Sequence, residues 1–243
     1  MDEAICIRVW DWSETSQTVS LFTRSHGVVR ALAKGAKRDD HRFSGGFELL
    51  TRGGVGLLLK NTESLVTVTS WNLLEIFPLA RRSLSAFHAS MAMLEIVGEF
   101  VRDRDPHPEL FDRLGASARL LGGEDAAVLA RFVLCALSEA GYRPELQRDV
   151  RTGADLDVED ASAESFGFDP RLGGFVSLPA GAGGEVWKVR RQTLRALRTA
   201  AEDRALSRDE SVRVCRLLGA YARELLGKQL PALDRALEVL VGP

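Results

Sequence analysis

Few of the features that announce chemistry are present in this chain. Its three cysteines, Cys6, Cys135 and Cys215, are scattered and odd in number, which argues against a disulfide framework and fits a reducing compartment. No apolar run approaches the about 20 residues that cross a bilayer, and the opening MDEAICIRVW is acidic where a secretory signal is basic. A soluble, cytoplasmic protein is expected. Neither sign of charge dominates: 32 Lys and Arg stand against 34 Asp and Glu, with pI ≈ 6.1. That excludes a globally basic protein, so any anion-binding surface must be local. Also missing are the Gly-x-x-x-x-Gly-Lys-Ser/Thr, His-Glu-x-x-His, Cys-x-x-Cys and Gly-x-Ser-x-Gly patterns. His26, His41, His88 and His107 lie on different elements without ligand spacing. Asp155, Asp157, Glu159 and Asp160 lack the Gly and terminal Glu of a calcium loop and read as a solvated acidic stretch. No catalytic residue, metal or cofactor is expected.

What is present falls into two halves. From Ala4 to about Phe77, AICIRVW, TVSLFT, GVVRALAKG, GFELLTRG, VGLLLK and SLVTVTSW alternate as short strands, with Gly27, Gly35, Gly45, Gly46, Gly53 and Gly54 at the joints. Strands this short and numerous suit a small closed barrel of the OB type. After Pro78 the period becomes helical: Leu84, Phe87, Met91, Leu94, Val97 and Val101 form a stripe expected to face the core. PELFDRLGASARLL and EDAAVLARFVLCALSEAGY continue it, the latter stopping near Gly141. Residues 147–185 follow neither period and read as a long irregular insertion. Helices resume with VWKVRRQTLRALRTAAE. Ser207 and Glu210 then have capping-box spacing ahead of a Val214, Leu217, Leu218, Tyr221 and Leu225 stripe, and PALDRALEVLV closes the chain. The expected class is α+β: an OB-fold barrel over 1–79, then an all-helical domain over 80–243 interrupted by that insertion.

The stretch RALAKGAKRDDHR concentrates basic residues around one glycine. If VVRALAKG is a barrel strand, the pleat puts Arg30, Leu32 and Lys34 on one face, and the following turn adds Lys37, Arg38 and Arg42. With Arg24, these are the candidate phosphate-binding residues; Asp39 and Asp40 temper their charge. The same residues have a plainer reading as charges that keep a strand edge from pairing. Trp10, Trp12 and Phe43 can stack on bases or pack within the barrel.

The order of these pieces resembles the bacterial recombination mediator family RecO. AICIRVWDWSETSQTVSLFTRSHGVVRALAKGAKR carries Glu14, Thr23, Gly27, Ala33, Lys34 and Gly35 in the family's order, and SGGFELLTRGGVGLL, ARFVLCALSEAGYRPEL, FDPRLGGFVSLP and YARELLGKQL follow. The resemblance covers nearly the whole chain. It implies a nucleoid-associated DNA-repair protein that binds single- and double-stranded DNA, anneals complementary strands and works with RecR to load RecA onto DNA coated by single-strand-binding protein. It further implies that the helical domain receives the acidic, hydrophobic-ended tail of single-strand-binding protein, with Arg131 matching a basic position linked to that pocket. Many members hold zinc with two cysteine pairs. Asp149, Thr152, Ser177 and Ala180 stand at those places here, a set unsuited to zinc. Two other classes remain open: a protein-only adaptor without DNA binding, and, more remotely, a nuclease, for which no carboxylate cluster can be assembled.

Overall fold

The computed structural model describes residues 1–38, 42–43, 45–59, 65–159, 164–178 and 186–241. Asp39, Asp40, His41, Asp160 and Ala180 lie outside them. β1 (Asp2–Asp11), β2 (Gln17–Thr23), β3 (Gly27–Ala33), β4 (Arg52–Leu58) and β5 (Val66–Glu75) close a barrel in the order β1-β2-β3-β5-β4. This is the OB arrangement: antiparallel neighbours, shut by one parallel seam of two residue pairs, Ala31 to Val66 and Leu32 to Thr67. Alternation turns Ala4, Cys6, Val19, Leu21, Val29, Ala31, Val55, Val68 and Trp71 into the barrel core. Ile5 and Ile7, two residues apart, share the face outside the barrel, and a bulge between Cys6 and Arg8 leaves Ile7 unpaired with β2 while setting Val9 opposite Val19 on the barrel side.

Of the six strand-like runs, five become barrel strands. GFELLTRG is not a strand before Arg52: Phe47 fills the barrel core, and Leu50, at φ 54°, turns the chain so that its side chain joins the helices.

The helical part comprises α1 (Leu84–Phe100), α2 (Pro108–Leu120), α3 (Asp125–Glu139), α4 (Arg191–Ala201), α5 (Arg208–Leu226) and α6 (Pro231–Val241). Ser83 caps α1 by accepting from the Ala86 N–H at 3.1 Å. The stripe expected on α1 is only partly the buried one. Leu84 and Phe87 are 64% and 44% exposed, whereas Ala86, Ala89, Ala92, Met93 and Ile96 are fully buried. The reason is that α1 packs on β1, α3 and α6 at once, and its small alanines let these neighbours approach. Ile5, Ile7, Phe22, Val28 and Leu50 from the barrel belong to the same hydrophobic core as the helices. The division expected at 79–80 falls inside a 3-10 turn, Pro78–Arg81, that leads directly into α1. No helix among the described residues is long and apolar enough to cross a membrane.

The described residues of the insertion carry regular structure that its sequence did not suggest. β6 (Ser165–Asp169), β7 (Gly174–Val176) and β8 (Trp187–Arg190) form an antiparallel sheet in the order β7-β6-β8. The helix expected from Val186 therefore begins only at Arg191; Trp187 and Val189 are spaced for a strand and pair with Phe168 and Phe166. Phe168 meets Phe175 and Tyr221 edge-on at 5.1 and 5.0 Å, seating the sheet on α5. A Cβ on Gly174 would lie 2.3 Å from Val150, so only glycine lets these segments meet.

Candidate nucleic-acid interface

The barrel register lines up Trp10, Thr18, Leu32, Thr67 and Leu58 across all of its strands. Trp10 and Leu58 are 53% and 50% exposed, so this line is an outward, largely uncharged belt. Beside it run Arg8, Ser20 and Arg30. On β3, Val29, Ala31 and Ala33 point inward while Arg30 and Lys34 are exposed, as the pleat requires. At the end of β3 the turn folds against the β1–β2 turn. The Gly35 N–H donates to Ser16 Oγ at 3.1 Å and the Lys37 N–H to the Thr15 carbonyl at 3.0 Å. Lys34, Lys37 and Arg38 are thereby held, all exposed, at the barrel end that also carries Trp12, itself 68% exposed. Lys37 Nζ lies 2.6 Å from Asp11, and this contact holds the Asp11 carboxyl below its ordinary pKa. Lys34 and Arg38 have no ion-pair partner among the described residues.

The remaining candidates are placed differently. Arg42 is exposed, with its guanidinium 5.8 Å from the Phe43 ring. Arg24, at the far end of β2, makes a two-pronged ion pair with Asp112 of α2, which raises its pKa, so it stands apart from the Lys34–Arg38 group. Phe43 is buried against Phe47 in the barrel core and presents no face to a base. Of the three aromatic residues singled out, only Trp10 and Trp12 are exposed.

Arg131 of α3 is three-quarters covered. It donates to the Arg204 carbonyl at 2.8 Å, and its Nε lies 3.8 Å from Asp203. It lines a cavity of about 180 Å³ whose other walls include Arg113, Arg143, Leu134, Cys135 and Ala201. Arg113 and Arg143 were not singled out in the sequence, because no local spacing ties either to Arg131.

Asp149, Thr152 and Ser177 do converge. Asp149 accepts N–H bonds from Ser177 at 2.7 Å, Arg151 at 2.9 Å and Thr152 at 3.0 Å. Burial pushes its carboxyl pKa up, but the N–H donors of Ser177, Arg151 and Thr152 outweigh burial and hold it below the ordinary value. The set does not fit zinc: its one carboxylate is engaged on both oxygens and no thiolate accompanies it. Among the described residues no three His, Cys, Asp or Glu side chains gather as a metal site. His26 lies 2.9 Å from Asp2, and His107 is 3.5 Å from Asp105. In the acidic stretch, Asp155 faces Arg148 at 3.7 Å and Glu159 pairs with Arg195.

Comparison with known proteins follows the same two halves. Residues 1–77 match the family described as "Recombination protein O N terminal", and residues 81–234 match "Recombination protein O C terminal". DNA repair protein RecO of Myxococcus xanthus is 30% identical over 239 residues, covering 96% of this chain and 95% of that protein. The protein of the same name from Anaeromyxobacter dehalogenans is 30% identical over 240 residues, covering 94% and 92%. That of Rhodopirellula baltica is 36% identical over 156 residues, a match spanning 63% of this chain and 58% of the relative's length. With a barrel of OB order, a helical body fused to it and both family halves matched along the chain, the protein belongs to the RecO family of bacterial DNA repair and recombination proteins.

Proposed function

We propose that the protein binds single- and double-stranded DNA through phosphates at the barrel end formed by Lys34, Lys37 and Arg38, with Arg30 and Arg42 extending the surface. On this reading it anneals complementary strands and, with RecR, helps load RecA onto DNA coated by single-strand-binding protein. The observation that carries it is the pinning of the 35–38 turn to the β1–β2 turn, which gathers exposed cations beside exposed Trp12. Annealing breaks no covalent bond. It needs a cationic surface to screen two phosphate backbones and a sequence-tolerant platform for bases, and the Trp10–Leu58 belt suits the second role. Changing Lys34, Lys37 and Arg38 together to Ala should weaken binding to unrelated oligonucleotides by similar factors. Each lost phosphate contact should flatten the salt dependence by about 0.7 on single strands. An unchanged slope overturns the reading and favours the protein-only adaptor.

The cavity at Arg131 supports the second part of the proposal, that the helical body takes the acidic tail of single-strand-binding protein. Three guanidiniums rim a floor of Leu134, Cys135 and Ala201, two of them facing the exposed Asp203 of the same cavity; an acidic peptide with an apolar end suits this set by taking the place of that carboxylate. Arg131→Glu, and the exposed Arg143→Glu as a variant less able to disturb folding, should lose binding of the isolated tail peptide while keeping that of a bare oligonucleotide. Peptide binding equal to the parent's in both variants refutes this part.

A further inference from the structure

Between β3, the start of β5 and the α1–α2 connection lies a cleft of about 410 Å³, lined by Val28, Val29, Arg30, Leu65, Val66, Asp103 and Arg104. It exists because the barrel seam is short. β5 pairs with β3 only from Ala31 onward, and the first half of β3 is met instead by the connection, through a bridge from Val28 to Asp103. The connection is locked there by its backbone. The Arg104 N–H donates to the Val28 carbonyl at 3.0 Å, and a Cβ on Gly27 would come 2.0 Å from the Asp105 carbonyl oxygen. Arg104 sits at φ 63°, a conformation that side-chain-bearing residues adopt at a cost.

Arg104 is exposed and has no ion-pair partner among the described residues. Arg30, on the same cleft, faces Asp103 at a loose 3.5 Å, with side chains 66% and 55% exposed. The cleft thus combines two guanidiniums, one weakly engaged carboxylate and an apolar wall of Val29, Leu65 and Val66. Its volume lies within the roughly 300–1,000 Å³ of small-ligand sites.

We infer that Arg30 and Arg104 form a phosphate clamp for one nucleotide of a DNA strand, with Asp103 as the internal anion that the phosphate displaces. The clamp rests on the DNA-binding reading above and extends it from the barrel onto the helical part. The sugar and base lie along the apolar wall, and the two planar donors hold the phosphate between them. Asp103 makes empty occupancy less favourable to stray anions and is easily displaced, because an exposed ion pair is weak.

The test uses the full-length protein and a fluorescent oligothymidine, titrated at several salt concentrations. Glycine adopts φ 63° freely, so Arg104→Gly removes the guanidinium without disturbing the connection. It should lower the salt slope by about 0.7, and Arg104→Lys should restore it. Asp103→Asn should tighten binding roughly two- to five-fold, the span an exposed ion pair provides. A parent-like slope in Arg104→Gly, or weaker binding in Asp103→Asn, overturns the clamp while leaving the barrel-end site standing. A parent that binds no oligonucleotide removes the DNA-binding reading and the clamp together.

Discussion

Replacing Asp149 tests how the 147–178 segment is held. Its carboxylate is buried and accepts three backbone N–H groups, one of them from Ser177, 28 residues away. Asp149→Asn keeps one acceptor oxygen for Arg151 and Thr152 but turns an NH₂ toward the Ser177 N–H, so two donors face each other. Leaving such a buried donor unsatisfied costs about 1–3 kcal/mol. Asp149→Ala loses all three bonds, of which those to Arg151 and Thr152 are replaced in part by water, and about 2–4 kcal/mol is expected. In a chain of this size that lowers Tm by about 3–9 °C for Asn and more for Ala. Urea unfolding followed by circular dichroism should show a lower midpoint at unchanged slope. The pH dependence has a definite sign. The folded pKa of Asp149 lies below its unfolded value, so its stabilisation is complete above the unfolded pKa and is lost as pH falls through the folded one. The gap between parent and Asp149→Asn should therefore narrow in acid below about pH 4. If Asp149→Ala melts within about 1 °C of the parent, the carboxylate does not organise the segment.

Gly27→Ala should destabilise by more than about 3 kcal/mol, since the new Cβ meets the Asp105 carbonyl at 2.0 Å in a backbone of φ 63°; a parent-like urea midpoint would contradict this. Ser207→Ala should cost about 1 kcal/mol in the same assay, because it removes one half of the capping box closed with Glu210 at the start of α5. Burial pushes the Cys6 and Cys215 thiols up to about 12, so iodoacetamide near pH 8 should label the native protein only at half-buried Cys135, and slowly. Mass spectrometry finding Cys6 or Cys215 labelled before unfolding would show the interior to be more open than described.

The barrel was legible because short apolar runs such as TVSLFT and GVVRALA stand between turn segments, with glycine at several joints, a spacing that suits strands and leaves no room for helices. It misled where burial is not set by period. GFELLTRG is apolar enough for a strand, yet Phe47 serves the barrel and Leu50 the helices. On α1 the large residues Leu84 and Phe87 look like core and are exposed, while Ala86, Ala89 and Ala92 are fully buried. Of the site residues, Lys34, Lys37 and Arg38 could be grouped in advance because they are neighbours in the chain. Arg104, Arg113 and Arg143 could not, since only the packing of distant segments brings them to Arg30 or Arg131. The Asp149 hub was hidden for the same reason: a carboxylate bonded to amides across the segment leaves no spacing pattern.

The core shared between Ile5, Ile7, Phe22, Val28 and Leu50 and the helices makes the two halves one mechanical body. Severing the chain near residue 80 would strip cover from five large side chains, and the freed barrel is expected to clump before it could be assayed. Joined as it is, the molecule should melt in a single calorimetric peak. Anything gripped at the tip of the barrel and anything lodged beside Arg131 would then be carried at a fixed separation, as by the two jaws of a gauge.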